Sequence, residues 1–435
     1  MISLGDGTAV PQRRDRLGLL RERDFRDLFL STSVAQFGYQ ITSLALPLAA
    51  VLALDAGEFE VGVLSSMTMV AFVLIGLPAG AWVDRMRRRR VMIWSDVVRA
   101  AVLLTVPIAW WTGTLTIWQL YAVALVIGAF TVFFDVSYQS YLPHLVGRAN
   151  LVEGNAKLET VRSTAQLGGP VLAGQLIAWL TAPVALAFDA VALGASALFL
   201  LRIRRREAKP EVAQGSRIAT EVKEGLAFVF KNRILASIIA CTGSWNFWMG
   251  AFMAMIVVFL PRDMGLTPGE IGLFFALFGI GGVAGVFVVG PATRRLGQGP
   301  VVWISVAATS PWILLIPLAE PGWRVWLGAV AMTFVGIGGV VYNVTQVSFR
   351  QRLTPDRMLG RMNATVRFIV YGAYAVGSLL GGVLGQALGA RATLWIAAAG
   401  ICSAFLPVFF SPLRNLRTLP EPEPEPEPER EPVAA

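Results

Sequence analysis

The sequence predicts an all-α integral membrane protein, with twelve transmembrane helices in two six-helix pseudo-repeats and both termini cytoplasmic. Three observations predict it. Hydrophobic residues make up 55% of the 435 and charged residues only 15%, with a mean hydropathy of +0.62; soluble domains carry about 25% charge. Twelve apolar runs, each about as long as a bilayer core requires, follow one another along the chain. The basic residues then fall in alternate gaps between those runs.

The elements follow in order. Residues 1–26 are polar and arginine-rich, with no small-residue cleavage site, and read as a cytoplasmic segment and not a signal peptide. A first bundle, 27–202, holds runs at 28–53, 61–82, 91–112, 116–141, 161–181 and 183–202. A cytoplasmic linker, 203–232, places Ile218, Val222, Leu226 and Val229 on one helical face, the pattern of a surface-lying amphipathic helix. The second bundle, 233–412, holds runs at 234–260, 269–290, 299–319, 324–347, 363–388 and 391–411. The runs are continuous and do not alternate polar with apolar, so they are helices and not barrel strands. The tail, 413–435, with its repeated Glu-Pro, favours extended, mutually repelling chain and is expected to be disordered.

Charge sets the orientation. With the N-terminus inside, the inner gaps hold Arg13 to Arg26, the run in "GAWVDRMRRRR" (80–90) and the cluster Arg202 to Arg206. Only Arg262, Arg324 and Arg391 fall in outer gaps, and Trp110, Trp111, Trp118, Trp323 and Trp326 gather at outer ends. The net charge of +9 is therefore topology, and no nucleic-acid partner is expected. A lipid bilayer is the medium implied, as a multi-pass cell-membrane protein. One histidine, His144, and two cysteines inside apolar runs, Cys241 and Cys402, offer neither a metal centre nor a disulfide framework. Titratable residues are too scattered for an enzyme's active site. "GIGGVAG" (279–285) follows no strand and reads as close helix packing.

The halves repeat. An offset of 210 aligns "EVGVL" (60–64) with "EIGLF" (270–274), and Gly80…Asp84-Arg85 with Gly290…Arg294-Arg295. An offset of 208 aligns "NA" at 155–156 with "NA" at 363–364. A six-helix unit duplicated in one orientation is the pattern of transporters whose halves are related by an axis along the membrane normal.

Twelve spans, the central loop, and Gly80, Asp84, Arg85, Arg88 and Arg89 after the second span together resemble the major facilitator superfamily. Arg87 stands where that family's loop motif usually has glycine, and Arg294 replaces the aspartate in the second copy. "SDVVRA" (95–100), "LPHLVGRANLVEGNAKLETVRSTAQLGGPVLAG" (142–174) and "RQRLTPDRMLGRMNATVRFIVYGAYAVGSLLGG" (350–382) look like the branch containing macrolide efflux proteins and an enterobactin exporter. Gly169, Pro170 and Gly174 are similar to the glycine–proline signature of antiporters, a helix-packing motif. The resemblance implies the major facilitator fold and alternating access around a central cavity lined by spans 1, 4, 7 and 10. No cofactor is implied; a proton gradient supplies the energy, and a monomer is expected.

On that reading Gly80 permits close approach of spans 2 and 11, and Asp84 latches the cytoplasmic side against the start of span 11. Charges within spans are costly and mark functional candidates: Asp96, Arg99, Asp135, Asp189 and Arg367. Depth allows Arg99 to pair with Asp135, or Asp96 with the loop arginines, and Asp135 and Asp189 are open to structural or proton-coupling roles. Arg367 is placed to snorkel. Gln36, Tyr39, Gln40, Phe134, Trp245, Asn246 and Asn343 are the cavity candidates. The function implied is secondary active export of hydrophobic or amphipathic small molecules by proton antiport. A dedicated siderophore or secondary-metabolite exporter is the alternative, and a non-transporting membrane sensor or scaffold the alternative of another class.

Overall fold

The computed structural model describes residues 18–83, 85–147, 150–205, 207 and 218–416, and among them there are helices and no strands. Fourteen α-helices occur there, α1 Arg23–Ala53, α2 Glu58–Val83, α3 Arg88–Trp111, α4 Ile117–Val146, α5 Leu151–Leu180, α6 Ala182–Arg202, α7 Ile218–Lys231, α8 Arg233–Arg262, α9 Pro268–Leu296, α10 Gln298–Thr309, α11 Val325–Arg352, α12 Asp356–Leu388, α13 Ala390–Ser403 and α14 Leu406–Phe409. Short 3-10 turns precede α1, extend α10 to Leu315 and close the described chain at Pro412–Asn415.

Helix ends follow local chemistry. Thr267 and Glu270 form a reciprocal capping box at the start of α9, with proline at its first position. Asn232 accepts from the backbone of Ile234 (2.9 Å) and Leu235 (3.2 Å) to begin α8. Gly147, Gly297 and Gly389 take positive φ where α4, α9 and α12 stop and the chain reverses.

Among the described residues, eleven helical spans are long and apolar enough to cross a membrane. The apolar run at 161–181 falls on α5, which is 30 residues long but not among the eleven. Gln166 and Gln175 dilute its apolar part, and Glu153, Lys157, Glu159 and Arg162 occupy its first turns.

Each half packs on itself first. In the first, α1 lies against α5 and α6, α2 against α4, and α3 against α4 and α6. In the second, α8 lies against α12 and α13, and α11 against α9 and α10. Across the halves α2 meets α12 and α5 meets α9. Both described chain ends lie at one end of the bundle (hereafter the termini end). Leu19 N–H donates to Glu153 at the start of α5, and Gly299 N–H to Leu416 O at the start of α10.

Three boundaries differ from expectation. Helix α1 begins at Arg23, inside the segment read as preceding the bundle. Leu413, placed in the tail, is fully buried against Val302 and Val306 of α10 and Val408 of α14, which extends the packed bundle into the segment read as tail; 417–435 lie outside the described residues. The linker helix α7 seats Val229 against Met362 and Val366 of α12 and pairs Glu224 with Arg361, so a protein surface takes the face expected at the membrane.

Candidate functional site

Three groups of residues occupy the positions where transport chemistry is expected. The first lies in the second half. Thr242, Trp245 and Asn246 share one face of α8 because they are three and four residues apart, and Tyr342 and Asn343 face them from α11. With Val306 and the bare backbone at Gly338 and Gly339 they enclose a cavity of about 190 Å³. Gly338 is required where α10 packs, since a Cβ would fall 1.7 Å from Thr309 Oγ1, whereas a Cβ at Gly339 would meet nothing within 4 Å. Tyr342 Oη and Thr242 Oγ1 share a hydrogen bond at 2.7 Å. Asn246 Nδ2 donates to Thr242 O (2.8 Å), and Asn343 Oδ1 accepts from Gln346 (3.1 Å). Each asparagine keeps its other amide atom without a hydrogen-bond partner among the described residues, so the cavity offers one acceptor and one donor.

The second group faces the cleft between the halves. Asp135 of α4 is half-buried and makes no hydrogen bond or ion pair among the described residues; the cations acting on it are Arg99, Arg367 and Arg162. Arg162 (α5) and Arg367 (α12) are exposed, as is Tyr39 (α1), which lies in the field of Asp135, Arg162 and Tyr371. A carboxylate on one half thus feels guanidinium groups on both.

The third group is buried inside the first half. Arg99 pairs with Asp96 three residues earlier and not with Asp135, and its guanidinium sits 5.0 Å from the Phe134 ring. The i,i+3 spacing on α3 brings the Asp96–Arg99 pair together before any neighbouring helix is needed. Asp96 Oδ2 also accepts from Ser196 (2.6 Å), and Ser196 shares a hydrogen bond with Ser31 (2.8 Å). Asp189 accepts from Thr42, while its Oδ1 is buried against Gly38, where a Cβ would fall 2.2 Å away, and has no hydrogen-bond partner among the described residues.

Several candidate residues sit elsewhere than expected. Phe134 is 8% exposed in the first-half core under Arg99, not on a cavity wall. Gln40 bridges α1 to α5, donating to Ala165 O (3.1 Å) over the space left by Gly169. Gln36 is half-buried on α1. Asp96 meets Ser196 and not the loop arginines.

The gating segment departs most. A Cβ at Gly80 would meet nothing within 4 Å, so α2 and α12 do not approach there. They touch at the opposite end, where a Cβ at Gly62 would lie 2.6 Å from Gly382 Cα. Gly174 and Gly272 bring α5 and α9 together at that same end, with Pro170 O against Gly272, and Arg262 donates to Asp55 (2.8 Å). Contacts between the halves reach mid-depth at Phe72–Tyr371, 4.7 Å between centroids. The helices splay towards the termini end, which removes the close approach expected at Gly80. Asp84 lies outside the described residues. Arg88 and Arg89 hold the loop to the first half, donating to Ser140 O (3.4 Å) and to Leu200 O (2.8 Å) and Leu201 O (2.7 Å); Arg85 is exposed.

Sequence reasoning missed Asp27, a carboxylate 1% exposed between Arg202 (3.6 Å) and Arg23 (3.9 Å), because it stands in an arginine-rich stretch that reads as solvated. It also missed Arg162, whose charge at the start of an apolar run looked like a boundary.

A family model described as "Transmembrane secretion effector" matches residues 16–432. The multidrug efflux pump Tap of Mycobacterium tuberculosis is 26% identical over 412 residues, covering 91% of this chain and 95% of Tap. The enterobactin exporter EntS of Salmonella typhimurium is 22% identical, covering 91% and 94%. Among solved structures, a bacterial homologue of the iron transporter ferroportin in its inward-facing state matches with a TM-score of 0.70 at 18% identity, over 89% of this chain and 98% of that one. The outward-facing state of such a homologue matches at 0.57, also at 18% identity, over 88% and 98%.

Proposed function

This chain belongs to the transmembrane secretion effector family of the major facilitator superfamily, multi-pass membrane transporters and not enzymes, and on that premise we propose that it is a secondary active exporter of hydrophobic or amphipathic small molecules, working as a monomer by alternating access and proton antiport. In this reading α5 is the twelfth crossing and both termini are cytoplasmic. The cleft then opens to the cytoplasm, where cargo enters.

The observation that supports coupling is the position of Asp135. It lies in the cleft, between cations of the two halves, with no fixed partner among the described residues. Closing the termini end would bring Arg367 towards it and opening the cleft would withdraw that charge, so the hold of Asp135 on a proton depends on conformation. Proton occupancy and conformation are thereby linked. Asp189 is held by Thr42 and packed on Gly38, which supports a structural role.

The test is transport of fluorescent amphipathic cations and macrolides in an efflux-deficient host, with and without a protonophore. Reduced accumulation that the protonophore abolishes, and that Asp135→Asn abolishes with normal membrane expression, is the expected result. Export by Asp135→Asn at the wild-type rate would reject the coupling role. The polar second-half cavity favours a second reading, a dedicated exporter of one polar metabolite. That reading predicts no effect on the amphipathic panel and export of a single compound.

A further inference from the structure

The loop joining α2 to α3 borders a second cavity, a lateral groove of about 830 Å³ that the proposed transport cycle does not use. Arg85, Arg87 and Arg90 line its rim, and Trp94, Phe130 and Phe133 line its floor. The rim arginines are exposed, and among the described residues their side chains make no hydrogen bond or ion pair. Nor does any acidic side chain among those residues line the groove. Arg88 and Arg89 of the same run point the other way and are spent on backbone carbonyls of α4 and α6. The groove therefore concentrates three cations in one place, with no acidic side chain among the described residues lining it.

Its floor is as unusual as its rim. Trp94 is 66% exposed although it stands on an apolar helix, and Trp82, 47% exposed, stacks on Phe133 at 5.9 Å. Helix α3 packs against α4 and α6, so the face bearing Trp94 looks away from the second half and from the central cleft. Trp94 lies six residues after the start of α3 at Arg88, or about 9 Å deeper along the helix. The cations thus sit where α2 ends and α3 begins, and Trp94 sits about two turns further along α3.

We propose that this groove binds an anionic phospholipid of the leaflet facing the termini end, its phosphate held by Arg85, Arg87 and Arg90 and an acyl chain lying on Trp94, Phe130 and Phe133. Guanidinium forks match phosphate oxygens in pairs. Indole and phenyl rings favour the zone where headgroups meet chains. The volume lies in the range that holds small ligands, enough for a headgroup, the glycerol and the head of one chain, with the remainder in the bilayer.

The test titrates phosphatidylglycerol and phosphatidylcholine against the purified, delipidated full chain, with bound lipid counted by native mass spectrometry. Phosphatidylglycerol is expected to bind the wild type more tightly than phosphatidylcholine. Arg87→Gln with Arg90→Gln should weaken it roughly thirtyfold, at about 1 kcal/mol for each arginine lost near a membrane surface. Arg87→Lys with Arg90→Lys should keep most of the binding. Glycerol 1-phosphate should not displace the lipid. Equal affinity for the two lipids would reduce the groove to an apolar trough, and full competition by glycerol phosphate would make it a soluble-phosphate site; either overturns the proposal. So does unchanged phosphatidylglycerol binding in the double glutamine variant. If that variant fails to fold, Trp94→Ala at its exposed position carries the test, and unchanged affinity there overturns the proposal equally.

Discussion

Gly62→Ala adds one methyl group at the tightest crossing between the halves. The new Cβ would stand 2.6 Å from Gly382 Cα, 2.8 Å from Ser378 O and 2.9 Å from Gly382 N. All three are backbone atoms, so no side chain can swing aside. Ordinary carbon contacts lie near 3.5–4.0 Å, and α12 must retreat from α2 by about 1 Å at the end away from the termini. Overpacking of this kind costs about 1–3 kcal/mol. The cost falls on the conformation with that end closed and is absent when the end is open. The equilibrium between the two therefore moves by a factor of roughly 5 to 150. Spin labels at Thr114 and Glu320, exposed on loops of the two halves at that end, read the change as a longer distance by double electron–electron resonance. A longer-distance population that grows in Gly62→Ala, in protein that remains folded and monodisperse, is the expected outcome. An unchanged distribution would show that the Gly62–Gly382 crossing does not set the equilibrium.

Gly38→Ala should destabilise by about 1–3 kcal/mol, since its Cβ would collide with the Asp189 carboxylate at 2.2 Å; Asp189→Ala in the same chain should recover part of that loss in thermal melts, and strict additivity would argue against the contact. Gly339→Leu has room for its Cβ and fills the 190 Å³ cavity, so it should leave the melting temperature nearly unchanged while lowering transport of any cargo bound there. Asp84→Asn should keep expression and folding but slow transport, as expected of a latch formed when the termini end closes; wild-type rates in flux assays would remove that role. Asn232→Ala should cost about 1 kcal/mol through loss of the α8 cap, visible as a lower melting temperature.

Much of the architecture is legible in one dimension because a bilayer demands long apolar helices and sorts positive charge to one side of them. Each apolar run falls on a helix, or on a helix continued by a short turn, and α1 and α8, like α2 and α9, begin 210 residues apart. Asp96, Arg99, Asp135, Asp189 and Arg367 stand out for the same reason, since charge in such helices is costly. Their partners do not stand out. Local spacing on α3 joins Arg99 to Asp96, but only the packing of α1 on α6 brings Thr42 to Asp189 and Ser31 to Ser196. Phe134 and Gln40 carry no mark in the chain of whether they face a cleft or a neighbour, because a helix has two sides and composition does not choose between them. Gly80 and Gly62 look alike as letters. Which of them meets α12 depends on how the halves tilt, a property of the assembled bundle in one conformation. The sequence by itself therefore determined what crosses the membrane and which charges are anomalous, since solvation acts on each segment independently. Pairings, cavities and the open end of the cleft were decided by the tertiary structure, because they arise from contacts between helices far apart in the chain.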